Sequence, residues 1–420
     1  MTLFGLLRSP RQVLFGVGQR HALGAATAAL GQRAFVVTDA RFGDTPEFDE
    51  LLGLLHAEGV QATPWTQTLP DVPTEQLQDC ARIAEQATPD VVVGVGGGSC
   101  IDMAKAVAIL LAHGGRPQDY YGEFRVPGPT VPLVAVPTTA GTGSEVTPVA
   151  VLSDPARTSK VGISSPHIIP HTAICDPELT YGSPPGLTAS AGADALTHAV
   201  EAFTAIRREP TADLSSRRVF VGKGALTDQY ALLAIRLIAA NLHRAWSNPG
   251  DVEAREAMML AATAGGFALG TAGTAAAHAI QYPLGALTHT PHGVGVGALL
   301  PYVMEFNRPV REAELAEVAA AMGVGGDDPG AAADAAIDAV ASLLESVGIP
   351  RTLAELGLPE DKVSWTAEQS LNAARLVENN PRPLDAAAAE RIVRAAYAGE
   401  RAGLRDEAQP LVAAGQGVAR

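Results

Sequence analysis

The feature that most constrains this chain is a change of texture near residue 185. Ahead of it, short apolar runs alternate with amphipathic stretches; behind it, almost every periodic segment is helical. Val13–Phe15, Ala34–Val37, Val91–Val95 and Leu133–Val136 read as strands, and Val91–Val95 suits one buried on both faces. Between them, 23–30, 47–58, 74–86 (with Thr74 as N-cap) and 101–111 carry helical patterns. Such alternation predicts a parallel sheet covered by helices on both sides.

Gly and Pro cluster at Ser183–Gly186, which places a boundary there and predicts an α/β domain over 1–184. The rest, 185–420, reads as an all-α domain, with helices over 187–205, 227–242, 251–268, 274–284, 310–322, 330–347 and 384–398. The charged segment Arg207–Lys223 predicts an exposed excursion, and the tail beyond Gly403 a loosely held end. Aromatics make up only 5% of the 420 residues, so the helices must pack largely through Ala, Val and Leu.

A net charge of −15 argues against non-specific binding to nucleic acid or anionic membranes. Cys80, Cys100 and Cys175 form no CxxC pair, which speaks against a disulfide framework or a thiolate zinc site. The first twelve residues show no leader-like apolar run, and no stretch is apolar enough to span a bilayer. A reducing, cytoplasmic setting is the expectation.

Two loops carry the first chemical signal. Gly96-Gly97-Gly98-Ser99 joins a buried strand to a helix bearing Asp102 and Lys105. Glycines there let phosphate oxygens reach the free amides at the helix N-terminus. Pro137–Ser144 follows the next strand and crowds Thr138, Thr139, Thr142 and two glycines into one turn. Loops after strands of one parallel sheet open on the same edge, where dinucleotides bind. Asp39 ends the strand 34–37. It is placed either to accept from a ribose, favouring NAD over NADP, or simply to cap the following turn. It precedes the glycine loop, unlike the acid of the usual Rossmann fingerprint.

The helical half carries the second signal. Asp194 and His198 lie four apart and share one helical face, as a carboxylate–imidazole ligand pair would. Glu201 is placed to orient His198. His278 sits in an apolar helix, as a ligand or a core residue, and His292 and His289 compete in the turn after it. Three imidazoles and one carboxylate would suit Fe(II) or Zn(II) with a position open for substrate.

Taken together, Gly96–Ser99 with Asp102 and Lys105, Pro137–Glu145, Gly192–Glu201, Pro283–Gly285 and Thr290–Gly293 resemble the iron-containing (group III) alcohol dehydrogenases, over nearly the whole chain. The resemblance implies a dehydroquinate-synthase-like fold with the site between an α/β nucleotide domain and a helical metal domain. It puts metal ligands on Asp194, His198, His278 and His292, dropping His289. Cofactor contacts fall on Asp39, Gly97, Gly98, Ser99, Thr138, Thr139, Thr142 and Lys160, with Leu187 near the cleft. It further implies NAD, Fe(II) ahead of Zn(II), a small alcohol or aldehyde as substrate, and a homo-oligomer. Tyr282 stands where many relatives carry a second histidine discussed as a proton relay. The rivals are an NAD-using lyase or cyclase on the same fold, a metal-free maleylacetate-type reductase, and a non-catalytic nucleotide-binding module. No Lys/Arg-rich segment marks a pocket for a polyanion, which counts against the first.

Overall fold

The computed structural model describes residues 3–157 and 160–406. The tail beyond Gly403 lies outside the described residues from 407 onward. A six-stranded sheet, all parallel, runs in the order β1-β9-β6-β4-β2-β3. Its strands are β1 (Gln12–Phe15), β2 (Arg33–Val37), β3 (Gln61–Trp65), β4 (Val91–Gly96), β6 (Leu133–Pro137) and β9 (Thr172–Cys175). Val91, Val92, Val93 and Val95 are fully buried because helices cover both faces. Each such side chain contributes about 1.5–3 kcal/mol relative to exposure. From β2 the chain places β3 on one side and β4 on the other. A crevice therefore opens at the carboxyl ends of β2 and β4, beside Asp39 and Gly97.

The helices of this half are α1 (Leu23–Ala28), α2 (Ala40–Gly43), α3 (Pro46–Ala57), α4 (Thr74–Ala87) and α5 (Gly98–His113). Thr74 is not the N-cap of α4. Pro73 holds that position, and the Thr74 amide bonds the Ser153 carbonyl instead. A small second sheet went unread: β5 (Gly122–Glu123), β8 (Val161–Ser164) and β7 (Val149–Leu152), in that order. Its strands are too short to carry a periodic signal.

The helical half comprises α6 (Pro185–Thr204), α7 (Leu214–Arg217), α8 (Ala225–Ser247), α9 (Val252–Ala272), α10 (Ala276–Thr288), α11 (His292–Met322), α12 (Pro329–Ser346), α13 (Val363–Ser370), α14 (Ala374–Asn379) and α15 (Ala386–Ala398). Asp251, Asp328 and Asp385 cap α9, α12 and α15 through their carboxylates, a satisfied arrangement at each N-terminus. Buried alanines of α6, α8 and α9, among them Ala195, Ala199, Ala234, Ala262 and Ala268, form the shared core. Small side chains there let the helix axes approach closely. The 310–322 helix proves to be the end of α11, which starts eighteen residues earlier. Its early part carries Gly293, Gly295, Gly297, Pro301 and Pro309, residues that read as breakers, and the backbone bends at Arg311. A Cβ on Gly293 would collide with the Ser190 carbonyl of α6, so glycine here sets the spacing of α6 and α11. Among the described residues, no helix is long and apolar enough to cross a membrane.

Candidate metal centre and cofactor cleft

Three helices aim polar side chains at one point. Asp194 and His198 project from successive turns of α6, His278 from the first turn of α10, and His292 from the first residue of α11. His292 thus sits on a helix start rather than on a loop. The Nε2 atoms of His198, His278 and His292 lie 3.4, 3.7 and 3.7 Å from Asp194 Oδ1. The edge of a tetrahedron of ligands about 2.1 Å from one ion is about 3.4 Å. Asp194, His278 and His292 each offer a ligand atom within 4.8 Å of the others. Among the described residues, Asp194 Oδ1 and His278 Nε2 are buried with no partner at hydrogen-bond distance, a costly state for polar atoms unless a cation is shared between them. Asp194, His278 and His292 therefore fit a divalent ion, while His198 lies outside that close group and reaches it through Asp194 Oδ1.

Glu201 orients His278, not His198. One turn further along α6 it faces the start of α10, where it accepts from the amides of Ala275 and Ala277 at 2.9 and 2.7 Å. It also accepts from His278 Nδ1 at 2.6 Å. That bond puts the His278 proton on Nδ1 and leaves Nε2 free to face the site. Burial lowers the His278 pKa, but Glu201 and Asp194 outweigh it and raise it to about 9, so a divalent ion would have to displace a proton from Nε2. Burial pulls His198 down to about 4 and His292 well below the ordinary range, so both rings are neutral. Burial works to raise the Asp194 carboxyl, but the surrounding imidazoles, of which His278 is the one with a raised pKa, hold it low.

Asp39, Gly97, Gly98, Ser99, Thr139, Thr142 and Leu187 line a single cleft of about 520 Å³ at the sheet edge, with Asp194 and His292 at its inner wall. Gly96 turns the chain there at φ +142°, a conformation a side chain would strain. Asp39 serves both readings. Its Oδ1 caps α2 by accepting from the Phe42 amide at 2.9 Å, while the residue still borders the cleft. Thr138 does not line the cleft; its amide bonds the Gly96 carbonyl and its hydroxyl is buried beneath the turn. Lys160 stands in an adjoining cavity and pairs with Asp71 at 2.6 Å.

Lys105 is fully buried and ties the Thr-rich turn to α5. Its Nζ donates to Ser144 Oγ, the Thr147 carbonyl and hydroxyl, and the Val149 carbonyl at 2.7–3.2 Å. Asp102 accepts from Ser144 Oγ and the Val151 amide at 2.5 and 2.9 Å. Both hold the shape of the loop, and Asp102 also borders the adjoining cavity.

The adjoining cavity, about 200 Å³, joins Gly98, Ser99 and Thr142 of the cleft to all four candidate ligands. Its other walls include Phe220, Leu269, Tyr282 and Arg375, together with the charged Asp71, Asp102 and Lys160. Phe220 comes from the 207–223 excursion, which returns to the body through a bridge between Arg207 and Gly222. Sequence reading passed over Phe220 and Arg375, because neither belongs to a periodic or glycine-rich segment. Tyr282 faces the cavity, its ring 6.4 Å from that of His292, and burial raises its phenol pKa.

Residues 10–177 match the family model described as iron-containing alcohol dehydrogenase, and 188–397 match the C-terminal model of the same family. The chain is 34% identical to an NAD-dependent methanol dehydrogenase of Bacillus methanolicus, over 89% of this chain and 94% of the relative. It is 33% identical to a sulfoacetaldehyde reductase of Bilophila wadsworthia, over 86% and 92% respectively. A crystal structure of 1,3-propanediol oxidoreductase superposes with a TM-score of 0.87 at 33% identity, covering 94% of this chain and all of that one. The chain belongs to the iron-containing alcohol dehydrogenase family and is an oxidoreductase acting on CH–OH groups.

Proposed function

We propose that Asp194, His198, His278 and His292 hold one divalent ion, Fe(II) ahead of Zn(II), and that NAD lies along the cleft from Asp39 to Thr142. The observation that carries this reading is the ring of three Nε2 atoms around the orphaned Asp194 Oδ1. A bound divalent ion supplies Lewis acidity toward an alcohol or carbonyl oxygen, and the nicotinamide supplies the hydride chemistry.

The chain's own residues bind, orient and shield. Gly97 and Gly98 admit a pyrophosphate to the N-terminus of α5, where unpaired amides favour an anion. The Asp39 carboxylate stands at the far end, suited to a ribose diol and repelling a 2′-phosphate. Glu201 locks the His278 tautomer. Phe220 and Leu269 give the adjoining cavity apolar walls beside the imidazoles. Burial raises the Tyr282 phenol pKa, which leaves it a neutral hydroxyl able to donate or accept in the cavity. Lys160 borders the same cavity as the candidate ligands and would meet the inner end of the cofactor.

The relatives' names cover methanol, 1,3-propanediol and sulfoacetaldehyde, so we keep the substrate to a small alcohol or aldehyde. We further propose a division into domains at 184/185, a homo-oligomer, and a reducing cytoplasmic setting. The last is in keeping with three buried, unpaired cysteines. The test is NADH formation from short alcohols after stripping and reconstitution with Fe(II) or Zn(II). Turnover restored by the ion, Fe(II) above Zn(II), supports the reading; full turnover by stripped, metal-free protein contradicts it.

A further inference from the structure

Among the described residues that line this cavity, Arg375 is a cation with no assigned work. It is the second residue of α14, and its guanidinium lies over the Phe220 ring at 4.2 Å from the centroid. Stacking fixes the plane and leaves the N–H edge free to donate. Among the described residues, Nη1 is buried without a hydrogen-bond partner. Arg375 borders both the small cavity at the candidate ligands and a larger outer one of about 630 Å³, so it stands where the two meet.

The other charges around it are committed. Lys160 pairs with Asp71. Asp102 takes its bonds from Ser144 and Val151. Glu123 and Glu201 are near enough to influence Arg375 electrostatically, yet neither bonds it. Glu123 accepts from the Val219 amide at 2.7 Å, and Glu201 is taken up by α10 and His278. Asp194 belongs to the candidate metal centre. A buried guanidinium donor without a partner is costly unless something supplies oxygens.

We infer that Arg375 is the specificity residue for the substrate's far end, and that the preferred substrate is a small alcohol or aldehyde carrying a carboxylate or sulfonate. The inference rests on the dehydrogenase reading for the reacting end and on Arg375 for the other. A planar guanidinium edge matches two anionic oxygens with paired, charge-assisted hydrogen bonds. No change in Arg375's protonation is involved.

The test compares matched substrates on the full-length, metal-loaded protein: 3-hydroxypropanoate and 2-hydroxyethanesulfonate against 1-propanol. One or both anions should exceed 1-propanol in kcat/KM by at least about tenfold. Arg375→Gln should lower the preferred anion's kcat/KM by about 100-fold and leave 1-propanol within about threefold, as loss of a charged hydrogen-bond partner implies. Arg375→Lys should fall between. A preference confined to one anion names the head group. Equal efficiency for all three, or an equal loss on all in Arg375→Gln, overturns the inference while leaving the dehydrogenase reading intact. Absence of NADH from every alcohol sinks that reading instead. Binding then decides the inference: the anions should raise the melting temperature of wild type and not of Arg375→Gln, and identical shifts in both would overturn it.

Discussion

The two halves build their share of the site by different means. The sheet half uses backbone: glycine turns at the ends of β4 and β6, with side chains such as Lys105 holding the turns in shape. The helical half uses side chains, one or two from each of three helices that meet at Asp194. A site made of backbone tolerates changes in side-chain chemistry but not in volume. One made of side chains fails with the loss of any single head group, yet tolerates variation around it.

Removing a ligand should have the largest effect. His278→Ala is expected to lower turnover by about 10³-fold or more, since the Lewis-acid contribution is several kcal/mol. NAD affinity, measured by fluorescence titration, should change little, because the cleft loops are untouched. A comparable loss of NAD binding would erase the contrast between the halves. The volume rule is sharpened at Gly143. Its φ is +62°, and a Cβ would strike the backbone of Gly266 on α9, where the two halves touch. Gly143→Ala should destabilise by about 3 kcal/mol from strain plus overpacking, read by denaturant melts. Wild-type stability would show that the seam is loose.

Glu201→Gln keeps the shape but weakens the grip on His278. Metal affinity should fall about 10–100-fold with the fold intact, measured by competition with a chelating dye. An unchanged affinity would mean that Ala275 and Ala277, not His278, account for the carboxylate. The smallest effect is expected at the far end of the cleft. Asp39→Ser removes the charge while retaining a capping oxygen for α2, and exposed Arg41 lies beside it in the same cleft. The ratio of kcat/KM for NADP over NAD should rise about tenfold, about 1.4 kcal/mol. A ratio that stays put would leave Asp39 with its cap alone.

How far the sequence could be read follows the same division. The strand–glycine–helix units are local, so β2, β4, β6 and α5 are legible from hydrophobic runs and turn residues. Asp194 and His198 are legible as a pair because one helix carries both. Nothing local links them to His278 and His292, 84 and 98 residues beyond Asp194; only the family resemblance joined them. Glu201 was assigned to the wrong imidazole because spacing along α6 says nothing about α10 packing across it. The start of α11 was lost because its glycines and prolines serve packing between helices. Arg375 is invisible in sequence, as its meaning arises only when Phe220, from a distant excursion, lies beneath it.

The central claim is a single ion gripped by four side chains of the helical half. Anomalous diffraction at the iron edge, from crystals of Fe(II)-loaded protein, tests it most directly. One strong peak about 2.0–2.2 Å from the Asp194 carboxylate and from the Nε2 atoms of His198, His278 and His292 is the predicted result. No peak there, or one held by other residues, would contradict it.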